Sequence, residues 1–144
     1  MHPRPTYDDA NLILRLYEMR REDRMRRARQ WFTANCKGLT SFEALAALAP
    51  PGSDENASFR MVVSYWDLVA SFIVSGILHK ELFFQSGREL LLTWERVRDL
   101  LPSIREAYQD EHYLKNLEIV GNEFAAYMKA QGPAAYEAFL KRVK

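Results

Sequence analysis

Cysteine is all but missing from this sequence, with Cys36 alone among 144 residues. A lone thiol cannot close an intrachain disulfide, so the crosslinks that hold small secreted domains together are excluded. Histidine is scarce, limited to His2, His79 and His112. None has a second His, Cys or carboxylate at a spacing typical of a metal motif, so no metal site and no cofactor is expected. Six dispersed glycines leave no phosphate-cradling loop, dinucleotide fingerprint or nucleophile elbow. Asn35-Cys36-Lys37 carries no protease signature, so Cys36 reads as a buried or helix-end thiol. No catalytic residue is assigned, and the chain reads as a non-enzyme. Long apolar runs are absent as well. The longest, Leu68 to Leu78, contains Ser71, Ser75 and Gly76, and a membrane helix needs about 20 residues. The start, Met1-His2-Pro3-Arg4-Pro5, lacks the apolar stretch of a signal peptide. The cytoplasm is the expected location, without a membrane partner.

What is present is an ordinary globular balance, 48% apolar and 27% charged, expected to form a single helical domain over residues 1–144. The net charge of +1 hides an asymmetry. Residues 1–37 hold nine Lys/Arg against five Asp/Glu, so the first quarter is basic and the remainder acidic.

Helical punctuation is clear. Thr6 followed by Asp9 resembles a capping box with a shorter acid, and neither Gly nor Pro then occurs before Gly38, which predicts one long helix from about Tyr7 to Asn35. Thr40 and Glu43 form a second capping box, for a short helix that must stop before Pro50-Pro51. From Ala57 to Ser75 two apolar rows alternate around one helix, and Gly76 suits a left-handed cap. A helix apolar over most of its circumference belongs at the centre of a bundle. A short turn of helix is expected over Lys80 to Gln85. Leu90, Trp94, Val97, Leu101, Ile104 and Tyr108 keep the helical period through Pro102, which predicts one kinked helix. Tyr113 to Met128 carries a further stripe ended by Gly132, and Pro133 opens a last helix. The expected fold is all-α: a bundle of about five to seven helices around a central apolar helix at about 57–75.

Tyr65-Trp66-Asp67, Gly76-Ile77-Leu78, Glu81-Leu82-Phe83, Trp94-Glu95 and Arg105 resemble, in their succession, a group of small uncharacterised all-helical bacterial proteins. The likeness covers about residues 28–110. It implies a helical bundle and lends no catalytic residue.

Three readings of function follow. The first is a helical interaction module with a protein partner or a second copy, as in a homodimer, through the row Met61, Tyr65, Leu68 and Phe72 on the central helix. The second is nucleic-acid association through the arginine-rich stretch 20–29, in which Arg20, Arg24 and Arg27 align. A solvated helix with internal pairs such as Glu22 with Arg26 explains that stretch without any ligand and is the favoured reading of it. The third is a small-molecule pocket among Tyr65, Trp66, Trp94 and Tyr108. Finally, Arg21 falls on an apolar stripe with Leu14, Tyr17, Met25, Ala28 and Phe32, so it must either snorkel to water or meet a carboxylate; Asp67, which interrupts the central helix, is the candidate partner for a buried ion pair, with a ligand-binding charge pair as a further alternative.

Overall fold

A computed structural model describes residues 3–144, and among the described residues it contains nine α-helices and no strand. They are α1 (Tyr7–Arg20), α2 (Asp23–Asn35), α3 (Phe42–Leu48), α4 (Asp54–Val74), α5 (Lys80–Phe84), α6 (Arg88–Val97), α7 (Leu101–Tyr108), α8 (Lys115–Gln131) and α9 (Pro133–Val143). The central apolar helix is α4, capped at its start by Ser53 and packed against α2, α6 and α8. Its 21 residues contain an 18-residue window with a mean hydropathy of 1.3, long and apolar enough to cross a membrane by length and composition. In this fold the same property makes it the core: Phe59, Val62, Val63, Trp66, Val69 and Ala70 are all buried.

Two helices expected to be continuous are each broken. The first ends at Arg20 because Glu22 leaves the helical conformation, at φ −59° and ψ 143°. Its carboxylate then accepts the amides of Arg24 and Met25 at 2.9 and 3.1 Å, opening α2 as a negatively charged cap. The second breaks after Val97, so the expected kinked helix is two helices, α6 and α7. Pro102 lies in the first turn of α7, where its missing amide costs no hydrogen bond. A smaller correction concerns α3, which is capped by Ser41, whose hydroxyl accepts from the Ala44 amide, and not by Thr40. The capping box of Thr6 and Asp9, the left-handed Gly76 at φ +78° and the N-terminal Pro133 of α9 all stand as read.

Long-range polar ties fix the remaining helices. Leu114 enters α8 in a left-handed conformation, at φ +56°, and supplies no side-chain cap. Asp67 of α4 replaces that cap: its Oδ1 accepts the Leu117 amide at 2.9 Å. Where α8 crosses α6, a Cβ on Gly121 would stand 2.2 Å from Cγ of Trp94, so only glycine permits the approach. Arg96 is buried with no carboxylate at ion-pair distance among the described residues. It donates to the carbonyls of Thr33 and Cys36, each at 3.0 Å, at the end of α2, and to that of Val143 at the end of α9. Two helix C-termini thus supply its negative charge. Next to it the buried Glu95 accepts the Tyr136 hydroxyl at 2.5 Å and Arg98 at 3.2 Å.

Candidate functional site

Helix α1 lies over the core without sealing it, since only Asp9 and Leu16 along its length are buried. Beneath its second half is a half-open cleft of about 310 Å³. Ile13, Leu16 and Tyr17 of α1 form one wall, Tyr65 and Trp66 of α4 another, and Phe83 closes the third. Gly87 makes that third wall possible, because a Cβ there would stand 2.3 Å from the Phe83 ring. Tyr65 and Trp66 meet edge to face at 4.9 Å between ring centroids, a favourable geometry for aromatic pairs.

The polar groups in and around the cleft fall into two kinds. Some are committed. The Tyr65 hydroxyl donates to the Leu16 carbonyl, which fixes α1 on α4, and burial pushes this phenol up to about 12. Arg29 holds Glu89 through two bonds of 2.7 Å, which raises its pKa further, and spends its remaining arm on the Arg20 carbonyl at 2.9 Å. The others have no partner. The Arg20 guanidinium, half-buried at the end of α1, lies over the Tyr17 ring at 4.9 Å and over Trp66 at 5.4 Å, with no carboxylate at ion-pair distance among the described residues. The Trp66 indole N–H is buried and donates to nothing.

Elsewhere the reactive side chains are occupied. The His79 ring accepts the Leu82 amide at Nδ1 (3.1 Å), so its Nε2 carries the proton and donates to the Pro3 carbonyl at 2.8 Å. Lys80 pairs with Glu123 at 2.6 Å. Cys36 is a buried thiol at the end of α2, pushed up to about 12 by burial, far from the thiolate a nucleophile needs. Among the described residues no group of three or more His, Cys, Asp or Glu could hold a metal ion. His2 lies outside the described residues.

The candidate ion pair of Arg21 and Asp67 does not form. The break at Glu22 takes Arg21 out of any helical stripe, leaving it exposed with its guanidinium over Tyr17 at 5.6 Å, while Asp67 caps α8. The same break separates Arg20 from Arg24 and Arg27, so the three share no helix face. Arg24 donates to the Ser58 hydroxyl at 3.2 Å, and Arg27 is exposed. The expected pairing of Arg26 with Glu22 is replaced by one with Asp23, at 3.6 Å. In the row Met61, Tyr65, Leu68 and Phe72, Tyr65 is buried and Met61 and Phe72 pack against the core; Leu68 is the exposed member. Of the four aromatics expected in one pocket, Tyr65 and Trp66 line the cleft. Trp94 is buried elsewhere and donates to Asn122, and Tyr108 packs against Phe42 and Tyr113. Phe83 and Gly87 carried no functional signal in the sequence, because their place in the cleft depends on how α1 docks.

The fold and this cleft define a class, an all-helical domain with a half-open apolar cleft under its first helix. At the level of families, the chain belongs to DUF4760, a domain of unknown function, whose model matches residues 5–124. That span runs from just before α1 into α8 and includes every wall of the cleft. No curated protein and no solved structure matches the chain.

Proposed function

We propose that this chain is a non-enzymatic binding protein whose site is the cleft between α1, α4 and the turn joining α5 to α6. The observation that carries the reading is the pairing of a 310 Å³ apolar hollow with donors the protein itself does not use. Concave, mostly aromatic surfaces with a few polar groups are how small-molecule sites are built. The committed states of His79 and Cys36 weigh against acid–base or nucleophilic chemistry.

The two other readings have less geometric support. Self-association through the α4 row would have to use residues that the chain already covers, with Leu68 as the exposed exception. Nucleic-acid binding would have to draw on arginines spread over two helices, several of them engaged with Ser58, Asp23 and Glu89. N-phenyl-1-naphthylamine, an uncharged apolar fluorophore, tests the reading. Its emission is expected to rise and saturate at one molecule per chain, and the rise should vanish in an Ile13→Trp variant that fills the cleft. An Ile13→Trp protein that melts like the parent and still binds the dye sinks the proposal.

A further inference from the structure

Resting on that reading, we infer that the cleft takes an amphipathic monoanion: a free, medium-chain monocarboxylate whose head meets Arg20 and whose chain lies among Ile13, Tyr17, Trp66 and Phe83. A heavy atom at liquid density occupies about 30 Å³, taking water as the guide, so a hollow of 310 Å³ holds on the order of ten such atoms. An alkyl chain of eight to ten carbons, with the carboxylate left at the opening, has about that size.

The choice of head group follows from charge. Arg20 is the cleft residue with a permanent charge, and it has no counter-ion among the described residues: Glu89 is taken up by Arg29. Stacking over Tyr17 and Trp66 holds the guanidinium in place with its hydrogen-bonding edge unspent. That fork matches a carboxylate with two parallel bonds. A single such fork suits a monoanion, and the lining holds no second cation to balance a phosphate dianion. The second unspent donor, the Trp66 indole N–H, is buried in the same wall. A buried donor left unpaired carries a desolvation penalty, but this one is sealed within the wall, so the choice of head group rests on Arg20. Apart from the hydroxyls of Tyr17 and Ser86, both on exposed residues, the remaining lining is apolar or, like Tyr65, already bonded, so the ligand beyond its head must be largely apolar.

The test is calorimetric titration below the micelle concentration with decanoate, decan-1-ol and butyrate, against the parent chain, Arg20→Gln, Arg20→Lys and Ile13→Trp. Melting curves check that each variant folds. Decanoate is expected to bind at one per chain, at least tenfold more tightly than decanol, with butyrate undetectable. Arg20→Gln should weaken decanoate at least tenfold and leave decanol unchanged, with Arg20→Lys in between because an ammonium keeps the charge and loses the fork. Ile13→Trp should abolish both. Equal affinities for acid and alcohol, indifferent to Arg20→Gln, would overturn the carboxylate assignment while leaving the cleft a binding site. Decanoate binding that persists in Ile13→Trp would place the ligand outside the cleft and overturn the inference. Failure of decanoate alone, with the neutral dye still bound, defeats the inference only; failure of the dye as well defeats the binding reading with it.

Discussion

At the scale of single residues, Asp67 shows how one carboxylate can be assigned the wrong partner for a sound reason. An acid in the middle of a core helix must find a donor, and the nearest cation in the helical pattern was Arg21. The donor it uses is instead a backbone amide, at the start of a helix whose cap position, Leu114, has no side chain able to cap it. This predicts that Asp67→Ala loses about 1 kcal/mol in denaturant unfolding, the usual value of a cap, and that Asp67→Asn, which keeps an acceptor oxygen, loses less. Arg21→Met should be close to neutral, since its side chain is exposed. The two losses should add in the double variant; a coupling beyond about 0.5 kcal/mol would mean that the residues communicate after all.

Among the elements, α1 is held differently from the others. It buries little and depends on polar ties: Asp9 accepts the His79 amide at 2.8 Å, Leu16 accepts the Tyr65 hydroxyl, and the Arg20 carbonyl accepts Arg29. The backbone amide of Thr6, more than that of His79, holds the Asp9 carboxyl below its ordinary value of 3.8, against the opposing effect of burial. A carboxyl depressed in this way stabilises the fold fully above its unfolded value, and the contribution is lost as pH falls through the folded one. The melting temperature of the parent is therefore expected to exceed that of Asp9→Asn near neutral pH, with the gap closing below about pH 4. A gap that stays constant down to acid pH would show that the ionised carboxylate is not the latch. The helices themselves were legible in the sequence because caps and periodicity are local: Thr6 with Asp9, Gly76 and Pro133 each act within a few residues. The break at Glu22 was not, since no Gly or Pro marks it and the cap is an unusual one. The cleft was half legible. Tyr65 and Trp66 stood out by residue type, but their separation from Trp94 and Tyr108, and the arrival of Phe83, follow from helix docking that no local pattern records.

For the molecule as a whole, alkaline pH is the more general threat. Burial pushes Cys36, Tyr65, Tyr113 and Tyr136 each up to about 12, and for Tyr136 the bond to Glu95 adds to the effect. An acid raised on folding is favoured in its neutral form, so its contribution is intact below the ordinary values of 9.0 and 10.0 and disappears towards 12. Stability followed by circular dichroism should stay level through neutral pH and decline steadily above about pH 9. A flat profile to pH 12 would mean that these groups titrate normally. Arg96 also bears on the order in which the chain becomes a protein. Its backbone partners lie 60 residues before it, at Cys36, and 47 after it, at Val143. During synthesis, at about 5–20 residues per second, the guanidinium emerges with one half of its clamp available and waits seconds for the other. Until α9 leaves the ribosome the cation keeps its water and the seam between α6 and α8 stays uncovered. Helix α9 is thus the element that completes the Arg96 clamp.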